Sequence, residues 1–223
     1  MEPPSEPLRL HSIDGPRTLR EQVAHALRAA VVAGEMRPGV VYSAPVLARQ
    51  LGVSATPVRE AVLDLVQQGL VEPVRNRGFR VTVLSERDLD EITALRMLIE
   101  VPTVAALATG GADVSGLHPL AERIERAAAE SDLIGYVEAD RRFHLALLAF
   151  AGNRWLVEIA GDLRARSRLY GLAGLAENGM LVESAREHTA LLDRITAHDE
   201  PGARMLIERH ISHVRGLWAG NDE

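Results

Sequence analysis

The chain has 223 residues, is 47% hydrophobic but only 4% aromatic, contains no cysteine and carries a formal charge of −6. These values exclude a disulfide framework, a thiolate metal site and a generic nucleic-acid coat. The length suits two compact domains with cores of Leu, Val, Ile and Ala. No run of about 18 apolar residues and no basic-then-apolar leader occurs, so a cytoplasmic protein with no membrane partner is expected. The charge is unevenly spread. Residues 1–84 hold 10 Arg against 8 acidic residues, and residues 85–223 hold 15 against 23. A DNA-reading N-terminal part joined to an acidic part with another task fits that asymmetry.

Residues 1–16 contain Pro3, Pro4, Pro7, Gly15 and Pro16 and show little periodicity, which predicts a flexible tail. Thr18 to Ala33 reads as a helix with Leu19, Val23, Ala26, Leu27 and Ala30 along one side, stopped by Gly34 and Pro38-Gly39. Ser43 to Leu51 is a second short helix. Gly52-Val53 links it tightly to a third, which opens at Ser54 and closes at Gly69. Val58, Ala61, Val62, Leu65 and Val66 form the apolar face of that third helix. Two short helices joined through a glycine turn are the helix-turn-helix pattern.

The other face of the third helix shows Ser54, Thr56, Arg59 and Glu60 at its N-terminal end, where a helix in the major groove meets base edges. The same pattern also fits an ordinary amphipathic surface helix. Leu70–Val74 and Phe79–Val83 then read as two short strands around Arg75-Asn76-Arg77-Gly78, a tight turn. Arg75 and Arg77 at its tip suit phosphate or minor-groove contact. The winged helix-turn-helix is predicted over residues 17–84.

From residue 85 onward only helices are predicted, at about Arg87–Thr109, Leu117–Ala129, Leu133–Ala151, Trp155–Leu172, Met180–His198 and Pro201–Trp218. Pro102 lies inside the first, and Gly171, Gly174 and Gly179 punctuate a loop. Six helices with short links predict an antiparallel bundle, so the fold class is mainly α. Asp140 and His144 share an apolar stripe one turn apart. His188 and His210 lie on two further apolar stripes. A buried polar group without a partner costs about 1–3 kcal/mol. One divalent metal would satisfy all four. Separate core hydrogen bonds are the simpler alternative, and His213 competes with His210 for the fourth place.

Residues 17–83 resemble the winged-helix domain of the GntR family of bacterial transcription regulators. The likeness lies in Leu47-Ala48, Leu51-Gly52-Val53-Ser54, Thr56-Pro57-Val58-Arg59-Glu60-Ala61, Gly69-Leu70-Val71 and Gly78. Ala55 stands where the family usually has an arginine, and Ala44-Pro45 where it often has a charged pair. The resemblance thus implies a DNA-binding domain whose operator departs from the usual one.

Residues 87–218 look like the all-helical effector domain of the FadR subfamily, the FCD type. Asp140-x-x-Phe143-His144, Gly152-Asn153, Glu187-His188 and Ala203 to His210-Ile211 carry that likeness. It implies a divalent metal, commonly zinc or nickel, on Asp140, His144, His188 and His210, and an effector carboxylate on Arg96. The alternative for Arg96 is a salt bridge to Glu100, four residues on.

The resulting expectation is a homodimer that binds a palindromic double-stranded DNA operator and responds to a small carboxylate effector. Ser54, Thr56 and Arg59 would lie at the bases, with Arg75 and Arg77 on the backbone or minor groove. The competing expectation is a metal-dependent enzyme acting on a small organic acid.

Overall fold

The computed structural model describes residues 18–32, 35–167 and 180–218. The tail expected over residues 1–16, the loop of Gly171, Gly174 and Gly179 and the end of the helix expected to reach Leu172 lie outside them. So does the side chain of His213.

The N-terminal part runs α1 (Leu19–Val32), β1 (Val41–Tyr42), α2 (Ala44–Leu51), α3 (Ala55–Gln67), β2 (Val71–Val74) and β3 (Gly78–Val81). Gly52 ends α2 in the left-handed region at φ 68°, and its backbone N–H donates to the last carbonyls of that helix. Val58, Ala61 and Leu65 of α3 are fully buried against Val23, Leu27, Leu47 and Phe79. These side chains form a core of their own.

Strands β2 and β3 pair antiparallel with Val71 opposite Val81 and Val74 opposite Gly78. Asn76 at φ 58° turns the chain between them. The sheet has a third strand that alternation did not reveal: β1 pairs with β3 on its other edge, in the order β1-β3-β2. Gly78 sits at that junction with φ 125°, and a Cβ there would come within 2.0 Å of the Tyr42 carbonyl oxygen.

The C-terminal part is helical: α4 (Glu86–Gly110), α5 (His118–Ala129), α6 (Leu133–Ala149), α7 (Arg154–Ser167), α8 (Met180–Thr196) and α9 (Glu200–Trp218). A short 3-10 turn, Ser115–Leu117, precedes α5. Helix α4 starts at a reciprocal cap. The Ser85 hydroxyl accepts from the Asp88 N–H, and the Asp88 carboxylate accepts from the Ser85 N–H. It continues through the exposed Pro102 and contacts α6, α7, α8 and α9. Helix α4 has the length and composition of a membrane span. Here its Leu89, Ile92, Val104 and Ala108 are buried in the protein, as a central helix of a bundle requires. Phe143, Leu147, Ala185, Leu192, Ile207 and Ile211 complete this second core.

The two parts meet where α1 and α3 face α6 and α7. A cleft of about 570 Å³ lies between them, lined among others by Arg28, Asp64, Gln68, Val137, Arg141 and Gly161. Beside it, Gly69 has φ 70°, and a Cβ placed there would lie 3.3 Å from Cγ of Arg166 on α7. The stem of Arg166 therefore crosses from the helical part onto the turn that follows α3.

Candidate functional site

Helix α6 presents Asp140 and His144 one turn apart, α8 presents His188 and α9 presents His210. All four residues are buried, each 3% exposed or less. Their ligand atoms lie within 4.8 Å of one another. Nε2 of His144 is 3.1 Å from Nε2 of His188 and 3.2 Å from Nε2 of His210. Asp140 Oδ1 is 3.0 Å from His188 Nε2 and 3.6 Å from His144 Nε2.

The tautomers follow from what lies behind the rings. His188 Nδ1 donates to the Ala185 carbonyl at 2.9 Å, and His210 Nδ1 donates to Glu187 Oε2 at 2.8 Å. Both rings therefore present Nε2 toward His144. Burial first, then the charge of Arg164, pushes His144 well below the ordinary histidine value. Three converging imidazole nitrogens and a carboxylate oxygen form a donor set that one cation at their centre would satisfy. A metal held at about 2.0–2.1 Å by such donors sets neighbouring ligand atoms about 2.9–3.4 Å apart, and the two spacings from His144, 3.1 and 3.2 Å, fall in that range. The residues fit a divalent metal of the imidazole-preferring kind better than calcium or magnesium. Phe143 closes the site on one side, its ring meeting the His144 and His188 rings edge-on at 5.3 and 4.9 Å.

A buried ionic network adjoins this cluster. Arg96 Nε donates to Glu100 Oε1 at 2.8 Å. Arg164 of α7 donates through Nε to both Glu100 oxygens, at 3.1 and 3.0 Å, and its Nη2 contacts Oε2 as well. Burial by itself would raise the Glu100 carboxyl, but the Arg164 and Arg96 guanidiniums outweigh it and hold Glu100 far below the usual carboxylate range. Burial draws Arg164 down to about 9 in spite of Glu100, which still leaves it charged at neutral pH. Arg96 thus has the salt bridge that its spacing allowed.

The sequence reading did not foresee Arg164 or the bond between His210 and Glu187. The signal for Arg164 is weak: it lies four residues after Ala160 and three before Ser167, which are buried but too small to mark an inward stripe. A polar group on an inward stripe picked out the histidines. Glu187 was visible beside His188, but its bond to His210 on another helix was not.

On the N-terminal part, Ser54 is the N-cap residue of α3, and its side chain makes no cap hydrogen bond. Ser54, Thr56 and Arg59 are exposed at the start of α3, and Arg75 and Arg77 are exposed in the β2–β3 turn. Arg80, by contrast, is paired with Glu72 at 3.1 Å. Ala55 is partly buried and packs against the domain core.

Residues 19–81 match the description "Bacterial regulatory proteins, gntR family", and residues 91–213 match the FCD domain. The chain belongs to the GntR family. It is 30% identical to the HTH-type transcriptional regulator McbR of Escherichia coli K12 over 191 residues, 84% of this chain and 86% of McbR. It is 28% identical to the HTH-type transcriptional repressor GlaR of the same organism over 230 residues, 96% of this chain and 100% of GlaR. The solved structure of E. coli McbR/YncC superposes with a TM-score of 0.70 at 28% identity, covering 93% of this chain and 100% of that one. A regulator structure from Rhodococcus sp. RHA1, at 24% identity and a TM-score of 0.68, shares the fold; the match covers 92% of this chain and 99% of that one.

A GntR winged helix followed by an FCD domain is the FadR-like architecture, and this chain is a DNA-binding transcription regulator. The relatives and fold neighbours are regulators and not enzymes, which removes the reading of a metal-dependent enzyme.

Proposed function

We propose that this GntR-family chain is a metabolite-responsive regulator. As a homodimer it binds a palindromic operator, and its FCD domain senses a small carboxylate effector beside a divalent metal. The division between the two domains is set at residues 84 and 85. The observation that carries the proposal is the convergence of three imidazoles and Asp140 in a buried core, next to a buried arginine network. A metal on these four residues, zinc or nickel by family likeness, supplies a Lewis-acidic centre for oxygen donors. The chain's own residues do the rest. Glu187 and the Ala185 carbonyl orient two of the imidazoles, Phe143 excludes water, and Arg96 with Arg164 supplies guanidinium donors for a carboxylate.

At the DNA, Arg59 with Ser54 and Thr56 reads bases from the start of α3, while Arg75 and Arg77 hold backbone or minor groove. Ala55, short and partly buried, contributes less to base reading than the arginine usual in the family. Dimerisation is supported by an apolar strip on α4, where Leu95 is 47% and Leu98 73% exposed, and Pro102 is also exposed on the same side. A two-fold protein mirrors a palindromic site. The cell compartment that follows is the cytoplasm.

The burial of all four ligands favours a second reading in which the metal is purely structural. One experiment tests both. The purified protein is stripped and reloaded with zinc or nickel, and operator binding is measured with and without small acids. Metal-dependent acid binding that changes operator affinity supports the sensor. Metal uptake with no response to any acid supports the structural metal. A folded dimer that takes up neither metal at any of the four residues overturns both. His213→Ala and His210→Ala, compared for metal content, identify the fourth ligand.

A further inference from the structure

Beside the candidate metal centre, three buried side chains share one carboxylate. Arg96 and Glu100 of α4 are 2% and 1% exposed, and Arg164 of α7 is fully buried. The two guanidiniums come from different helices and meet the same Glu100 carboxyl group from two directions. This is how a protein recognises a carboxylate ligand, with directional N–H donors around both oxygens. The arrangement makes poor sense as a device for stability alone. Buried ion pairs often contribute less than apolar packing of similar volume. It is also incompletely satisfied, because Arg164 Nη1 has no hydrogen-bond partner. That nitrogen lies 3.6 Å from Asp140 Oδ2, beyond hydrogen-bond range, and so faces a metal-ligand candidate.

This inference rests on the acid-sensing role proposed for the FCD domain. We infer that Glu100 is the chain's own stand-in for the effector's carboxylate: it closes a clamp formed by Arg96 and Arg164, and the effector binds by taking its place. The exchange keeps one carboxylate between two guanidiniums, so the clamp is never left empty of negative charge. It also selects a ligand class. A monofunctional acid satisfies only what Glu100 already satisfies. A small acid with a second oxygen close to its carboxylate also accepts from Arg164 Nη1 and would lie beside a cation held by Asp140 and the three histidines.

The exchange has a mechanical result. Glu100 ties α4 to α7 through Arg164. Once a free acid replaces it, that tie is cut while both guanidiniums keep a carboxylate partner. Two residues further along α7, Arg166 lies against Gly69 of the DNA-binding domain. The clamp is thus two residues away from a contact between the domains.

The test uses the metal-loaded full chain titrated with acetate, lactate, succinate and citrate, by calorimetry and by shift of the thermal midpoint. Glu100→Gln keeps the size of the side chain and removes its charge, and with it the internal competitor. Its apparent Kd for the best of these acids should tighten by about tenfold or more relative to the unsubstituted protein, because the binding-competent fraction rises. Equal or weaker binding by Glu100→Gln overturns the inference. Where Glu100→Gln fails to fold, Glu100→Asp shortens the reach by one methylene, keeps the charge and should also tighten acid binding; no gain there is equally fatal. The paired variant Glu100→Gln/Arg164→Gln restores charge balance and should retain metal but lose the acid response, and retained acid binding refutes the clamp. If the unsubstituted protein and Glu100→Gln both hold metal and neither responds to any of the four acids, acid sensing itself fails and the inference falls with it.

Discussion

Glu187 accepts a hydrogen bond of 2.8 Å from Nδ1 of His210 while also pairing with Arg209 at 3.0 Å. The carboxylate therefore decides which imidazole nitrogen of His210 keeps its lone pair, although it is not among the four converging groups. Removing it should release the ring to rotate or to change tautomer. Glu187→Ala should weaken metal binding by about 10–100-fold, the usual cost of losing such an outer partner. Competition against a coloured chelator measures this directly. Unchanged affinity would mean that His210 is oriented by packing alone.

Acid should act on the same site in a definite direction. Burial and the nearby Arg164 hold His144 well below its ordinary value of 6.5. The folded chain therefore keeps this ring neutral over a range where the unfolded chain binds a proton. Stability from this group is complete above pH 6.5 and declines as the pH falls below it, by up to about 1.4 kcal/mol per unit. Metal retention should fall in the same window, because imidazole ligands must be neutral. Thermal midpoints and bound metal measured from about pH 8 to 5 check both, and a midpoint that rises on acidification contradicts the assignment.

Two arginines on the DNA-binding domain should fail in different ways. Arg59→Ala should lose sequence preference, since a bidentate base contact is worth about 1–3 kcal/mol of discrimination. Arg77→Ala should weaken all sequences more evenly and reduce the salt dependence of binding. Selection from a randomised operator pool, repeated at two salt concentrations, separates the two. An Arg59→Ala protein with an unaltered selection profile would place the start of α3 away from the bases.

Gly78→Ala should be far more damaging than its size suggests. The added Cβ meets the Tyr42 carbonyl oxygen at 2.0 Å, and the backbone angle of 125° is strained for any residue but glycine. A loss of about 1–3 kcal/mol from the strain alone is expected, before the steric clash is counted. Operator binding should drop while metal content in the helical domain stays level, because the two cores are separate. Calorimetric unfolding with loss of both functions together would show that the domains unfold as one unit.

Most of this architecture is legible in the sequence. The helical period exposed Asp140, His144, His188 and His210, because a polar group on a strongly apolar stripe stands out over several turns. The six helices described in the FCD domain are expected from the sequence for the same reason, and the ends that fall on described residues differ by at most two residues. Strand β1 was not found, since two residues cannot display alternation and Val41–Tyr42 pairs with residues almost forty positions away. Arg164 was hidden by its surroundings: the inner stripe of α7 is built from Ala160, Gly161 and Ser167, which signal burial weakly. Spacing offered Glu100 as a partner for Arg96. It could not reveal that a second arginine, 64 residues away in sequence, shares the same carboxylate.

The stem of Arg166 lying on Gly69 bears on how this regulator could be rebuilt. Gly69 follows the helix assigned to base reading, and Arg166 belongs to the helix that carries Arg164. The two halves are therefore fitted to each other at a point where one side offers bare backbone and the other an aliphatic chain. A chimera that joins this helical domain to a foreign winged helix bearing any larger residue at that turn would force the stem of Arg166 to give way by a few tenths of an ångström. It would carry two sound halves with the contact between them altered.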